Sequence, residues 1–285
     1  MNTTAKLVGL LISIMLSVKV NAVTIKCGNL NEALLYSKET TTSPNEYPWM
    51  GVLLESEDGY LRNTRCSVII VGEAHVLATG PCVRRKRPEL LTVRLGLWNK
   101  THVPGERIQC NEKGFCVPRP VDHRVKGILE HSLADKETGD YDLAILELKE
   151  LIKMTTYIQP LCVNQLPVPE SLIGRNYHYG GFDNASYLKG KGLAITISRQ
   201  VCTETGKLSS APPANQFCAY PEKRTRFYNG AALMSTNVKG EVPRNFYLSG
   251  IMTKHLNVGD TTLLFFHDIK SVRQWILNNT RITGN

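Results

Sequence analysis

Three groups of residues have types and spacings that could do chemistry: histidines, cysteines and clustered cations. His75 and His255 are the histidines that could act as bases, but no recognisable motif pairs either with a hydroxyl, and His75 reads better as a strand or surface residue. The eight cysteines contain no CxxC and no histidines pair at ligand spacing, so neither zinc nor any other cofactor is expected. Two basic runs, Arg84-Arg85-Lys86-Arg87 and Lys223-Arg224-Thr225-Arg226, concentrate charge that could hold an acidic protein or a sulfated glycan. Solvated loops, or a processing site at Arg84 to Arg87, are the plainer alternatives. Asn99, Asn184 and Asn278 each open a glycosylation sequon.

The elements that must position these groups begin after an address. Lys6, the apolar run Leu7 to Val18 and the small-residue pattern Val20-Asn21-Ala22 predict a signal peptide over residues 1–22, a run too short to span a bilayer and interrupted by Lys19. The protein is therefore expected to be secreted and extracellular, with no membrane span. Formal charge is +9, of which Lys6 and Lys19 belong to the signal, leaving +7. A secreted basic chain meets acidic proteins and sulfated glycans more readily than nucleic acid, for which no motif appears. Eight cysteines in that setting imply four disulfides whose pairing the count leaves open.

Residues 23–46 hold Cys27 and a hydrophilic stretch from Lys38 to Glu46 and are expected to form a solvated linker. From Tyr47 the chain changes to short runs rich in Val, Ile, Leu and Tyr, at 48–55, 66–78, 91–96, 124–129, 143–148, 176–180, 193–198, 245–252 and 262–266. Many short strands separated by turn residues predict an all-β barrel or sandwich over 47–285. Only the end reads as helical, with Asp268 as cap and Ile269, Val272 and Ile276 at helical spacing.

The segment CSVIIVGEAHVLATGPC, Cys66 to Cys82, resembles the pattern CGGSLI…WVLTAAHC of chymotrypsin-like serine proteases. Tyr47 to Met50 is similar to their opening strand, Tyr141 to Leu146 to the DIALL segment, and Pro160 to Cys162 to the crossover between barrels. Tyr177 to Phe182 resembles the VAGWG strand, Asn215 to Ala219 the QLCAG segment, and LLFFHDIKSVRQWI the closing PGVYTNVAKFLPWI. The resemblance implies an all-β fold of two six-stranded antiparallel β-barrels with a C-terminal α-helix. It also implies disulfides Cys66 with Cys82, Cys202 with Cys218, and Cys27 with Cys162. Cys110 and Cys116 remain, in a loop similar to RLGEWD…C…C of arthropod clip-domain proteases. The clip domain itself is not expected, since only Cys27 precedes the barrel.

The same resemblance assigns a triad that this sequence does not complete. Acyl transfer by serine needs an imidazole base, an orienting carboxylate and oxyanion donors. Asp142 keeps the carboxylate, but Pro81 stands in the histidine's place and Asn229 in the serine's. Phe227 replaces an oxyanion-hole glycine, and Tyr228 the aspartate that meets a new amino-terminus. Leu35-Tyr36 replaces the activation junction, and Leu264 a glycine of the specificity pocket, which implies a filled pocket. Losing nucleophile or base costs about 10⁶ in turnover. Asp142 is expected to be structural. The reading that follows is an inactive serine protease homologue that binds or regulates proteases or their substrates in an extracellular cascade of the immunity, melanisation or clotting type. The alternatives are a glycan-binding module using the basic loops, and an endopeptidase with a non-standard site built on His75 or His255.

Overall fold

The computed structural model describes residues 26–101, 108–110, 114, 116–163 and 172–280. The expected signal peptide lies outside them. Two closed six-stranded antiparallel barrels account for most of the chain. The first contains β1 (Met50–Glu57), β2 (Tyr60–Ile70), β3 (His75–Thr79), β4 (Leu91–Leu95), β7 (Val121–Glu130) and β8 (Leu143–Leu148), in the order β1-β2-β3-β8-β7-β4. The second contains β9 (Asn176–Gly181), β10 (Gly190–Ile197), β11 (Gln216–Pro221), β12 (Ala232–Lys239), β13 (Val242–Val258) and β14 (Thr261–Asp268), in the order β10-β11-β14-β13-β12-β9. Closure leaves no long sheet edge exposed. A small ribbon, β5 (Ile108–Cys110) with β6 (Cys116–Pro118), lies outside both.

Nine apolar runs become twelve barrel strands for two reasons. The run 66–78 holds the end of β2 and most of β3, divided by a bend at 72–74. β11 and β12 carry mixed sequences, QFCAYP and ALMSTNVK, whose buried positions do not form one apolar run. The closing helix α4 (Ile269–Asn279) forms as the sequence predicts. Asp268 accepts from Lys270 N at 2.9 Å, and Ile269, Val272 and Ile276 are buried. Three further helices were not legible: α1 (Glu32–Leu35), α2 (Gly80–Val83) and α3 (Arg199–Gly206). α3 is capped by the Ser198 hydroxyl, which accepts from Val201 N, and is anchored by buried Cys202. Its other positions are mostly polar.

Cys27–Cys162, Cys66–Cys82, Cys110–Cys116 and Cys202–Cys218 are all bonded. The first ties the amino-terminal segment to the barrel crossover, reinforced by Gly28 N donating to the Pro160 carbonyl and a bridge from Asn29 to Asn245. The segment from residue 26 to 46 is not the solvated linker its composition suggests. It runs over the second barrel as a strap, with Thr42 and Glu46 buried, because residues of β10 and of the loop before it supply partners: Thr42 N donates to the Lys189 carbonyl at 2.9 Å, and Lys191 meets the Glu46 carboxylate. Lys191 Nζ donates to the Glu46 carboxylate at 2.8 Å, and Lys189 Nζ donates to the Tyr47 carbonyl at 3.0 Å. Burial pushes the Lys189 ammonium down to about 7, opposed by the charge of Glu46.

Candidate functional site

The two sides of the cleft assigned by sequence meet where β3 ends. Thr79 pairs with Leu143, Gly80 N donates to the Asp142 carbonyl at 2.8 Å, and the chain turns into α2. Pro81 sits in the first turn of α2, where its missing N–H costs the helix nothing, and its side chain is exposed. Asp142 is buried at the start of β8. Its Oδ2 accepts from Arg84 Nη2 at 2.5 Å, so a guanidinium is the carboxylate's partner. The Arg84 side chain is 23% exposed and that of Asp142 7%. Arg84, a candidate for binding an acidic partner, thus already has a carboxylate partner within the chain. Lys86 is withdrawn in the same way by Glu55, and Arg87 approaches Glu89 at 3.6 Å. Only Arg85 of that run is exposed without an ion pair among the described residues.

Gly80 is the residue that sequence reasoning missed here. A β-carbon at this position would lie 1.6 Å from Asp142 Oδ1, so the carboxylate occupies space that any other residue would fill. The signal was present in the pattern LATGPC, where glycine replaces the second alanine of LTAAHC.

Across the cleft, the segment 227–230 is fixed by its backbone. Asn229 bridges Cys66, and its carbonyl accepts from Ser67 N at 2.7 Å. Gly230 has φ +91 and a β-carbon there would lie 2.0 Å from the Ser67 carbonyl oxygen, so glycine is required. Phe227 is turned into the second barrel, where it packs in one cluster with Tyr179, Met252 and Leu264. Tyr228 donates to Asn184 Oδ1 at 3.0 Å, and the Lys100 ammonium lies 5.3 Å from the ring centroid while donating to the Asp183 carbonyl. Burial lowers the Lys100 pKa, against the attraction of Asp183. The lysine thus brings a cation to Tyr228 from within the chain.

The remaining candidates are scattered. His75 pairs in register with Glu147 on β8, away from the segment 227–230. His255 lies opposite Leu264 on β14, and burial, then the charge of Arg226, lowers its pKa. Lys223, Arg224 and Arg226 are exposed, Lys223 reaching the Lys38 carbonyl at 3.2 Å. Leu35 and Tyr36 end α1, Leu35 against the core and Tyr36 74% exposed. Asn184 and Asn278 are exposed, while Asn99 is half-buried with its Oδ1 accepting from Thr101. Among the described residues no cluster could hold a metal ion, and no helix is long and apolar enough to cross a membrane.

This arrangement has relatives. CLIP domain-containing serine protease B9 of Anopheles gambiae is 23% identical over 253 residues, covering 83% of this chain and 61% of that protein. The Spaetzle-processing enzyme of Drosophila melanogaster is 30% identical over 159 residues, covering 52% of this chain and 38% of that protein. The chain thus spans only part of the length of these relatives. A crystal structure of the Drosophila Grass clip serine protease of the Toll pathway superposes with a TM-score of 0.71 at 20% identity, covering 90% of this chain and 75% of that one. The family model described as Trypsin matches residues 37–276, from the strap to the closing helix. With both barrels inside that match, the chain belongs to the trypsin family.

Proposed function

We propose that the protein is a secreted, catalytically inactive serine protease homologue that serves as a binding or regulatory component of an extracellular protease cascade. The Arg84–Asp142 pair is the observation that carries this reading. A serine protease uses the carboxylate to orient an imidazole, and the imidazole to take the hydroxyl proton. Arg84 cannot take a proton at neutral pH, because a guanidinium is already fully protonated. Pro81 offers no base, and Asn229 has only an amide, whose nitrogen is conjugated with its carbonyl. Phe227, folded into the core, occupies the place of the oxyanion-hole glycine. The cascade setting is supported by what the similar proteins are called: among them are phenoloxidase-activating factors of Holotrichia diomphalia and Melanization protease 1 of Drosophila melanogaster.

The test is chemical. The chain lacking residues 1–22 is incubated, with and without trypsin treatment, with a fluorophosphonate probe and with peptide ester substrates. Neither labelling nor turnover is expected. Stoichiometric labelling of the protein itself, in either state, would overturn the proposal.

A further inference from the structure

The cations that face solvent beside Asn229 are not the four consecutive residues that stand out in the sequence. Arg84 and Lys86 turn inward to Asp142 and Glu55, which leaves Arg85 exposed in a left-handed conformation, φ +61. A second arginine stands on the other side of the same disulfide. In the β1–β2 pairing Leu53 is opposite Cys66 and Leu54 opposite Asn63, so Thr64 and Arg65 form a bulge with no facing residue. Arg65 is exposed, also with a left-handed φ of +60. Such backbone is costly for a side chain with a β-carbon, about 1–2 kcal/mol, and bulges re-aim side chains. Arg65 precedes Cys66 and Arg85 follows Cys82 by three residues, so the Cys66–Cys82 bond holds the two together.

A third arginine lies close along the chain to the same turn, in the second barrel, where its charge also bears on His255. Asn229 bridges Cys66, and burial, then the charge of Asp183, raises the Tyr228 pKa, with the Arg65 guanidinium near enough to oppose them. Arg226 is exposed two residues before Tyr228. Among the described residues, none of Arg65, Arg85 and Arg226 forms an ion pair with a carboxylate.

We propose that Arg65, Arg85 and Arg226 form one anion-recognising surface beside the Asn229 turn, and that it takes an acidic segment of a partner protein. The idea rests on the reading of the chain as a binding component and specifies where it binds. All three groups are guanidinium forks, which match a planar carboxylate through two parallel hydrogen bonds. They stand at separate points fixed by a bulge, a disulfide and a turn, which suits discrete side chains of a polypeptide. A sulfated glycan is better served by a dense run of cations; the inward turn of Arg84 and Lys86 breaks up the first run, and heparin binding through the second, Lys223 to Arg226, is what the parallel measurement below tests.

The probe is a fluorescein-labelled peptide of alternating glutamate and glycine, followed by anisotropy at low and physiological salt, with a heparin oligosaccharide in parallel. The peptide is expected to bind, more weakly as salt rises. Arg65→Gln, Arg85→Gln and Arg226→Gln should each weaken it about tenfold, and Arg→Lys at the same positions several-fold, because lysine keeps the charge and loses the fork. Arg244→Gln, an exposed arginine at the start of β13, should leave it unchanged. Arg85→Gly relieves the backbone as it removes the side chain, so binding should fall while the urea midpoint holds or rises. The proposal is overturned by absence of peptide binding, by equal weakening in Arg244→Gln, or by a heparin complex that is tighter and depends on the same three residues. Ester turnover is a separate readout: finding it would overturn the functional reading, whereas a missing peptide complex would overturn this surface alone.

Discussion

Lys191 and Arg84 are both cations whose side chains turn away from solvent to meet a carboxylate, one beneath the amino-terminal strap and one beside the Asn229 turn. Lys191 and Glu46 are each 6% exposed, and the ammonium also reaches the Leu34 carbonyl at 3.4 Å. Arg84 is 23% exposed, and one side-chain oxygen of Asp142 has no hydrogen-bond partner among the described residues. The first pair is enclosed and multiply satisfied, and it holds two parts of the chain together. The second is open on one side, beside the turn that carries Asn229. Burial of a matched pair is weak evidence of net stabilisation, yet breaking such a pair is costly in proportion to how completely water is excluded. The strap pair should therefore govern stability, and the site pair local geometry.

Removing one strap partner should have the largest effect. Glu46→Ala or Lys191→Met leaves a charge buried among apolar and backbone groups, at a cost of about 3–5 kcal/mol by urea unfolding. The double variant Glu46→Leu/Lys191→Met should recover most of that loss. If the single variants cost no more than an exposed pair, about 1 kcal/mol or less, the contrast between the two regions collapses.

The same contrast shows what was legible in the sequence. The barrels, the closing helix and the cysteine framework follow from patterns carried by the side chains themselves: short apolar runs, a capped helical spacing, and the order of segments shared with a family. The strap was not legible, because its own residues, from Lys38 to Glu46, are polar and the groups that make burial possible, Lys189 and Lys191, lie far along the chain, on β10 and in the loop before it. The pairing of Arg84 was not legible for a related reason. In a run of four cations nothing distinguishes the residue that turns inward; the choice is made by α2, which places Arg84 over the start of β8. Arg65 escaped notice since a single arginine before a cysteine carries no signal, and its exposure depends on a bulge.

Two buried histidines allow the regions to be compared by pH. His178 lies against Phe246 under the strap, and burial, aided by the charge of Lys191, pushes its pKa down to about 4. His267 lies behind Asp142, and burial pushes it to about 4 as well, against the opposing pull of the Asp268 carbonyl, Asp140 and Asp142. Both are neutral in the fold and take up a proton on unfolding near 6.5. Their contribution to stability should be constant above that value, fall as pH drops from about 6.5 to about 4, and level off below. A shift of this size corresponds to about 3 kcal/mol per histidine. His178→Gln and His267→Gln should each flatten part of the slope in urea midpoints measured between pH 7 and 4. If only one does so, the other ring is more open to water than its region implies.

The smallest effects belong to the site pair. Because Arg84 is partly solvated, Arg84→Ala should cost about 1–3 kcal/mol, less than either strap variant. Gly80→Ala should fall in the same range, since the new methyl group must displace the Asp142 carboxylate and tear it from Arg84. Both substitutions then act on one interaction, and the double variant should cost about 1 kcal/mol less than the two singles together. Strict additivity would mean that Gly80 and Arg84 support Asp142 independently. A measured coupling would instead tie the glycine to the guanidinium, making LATGP and the arginine beyond it one device: a turn opened so that a buried carboxylate can be held by a cation.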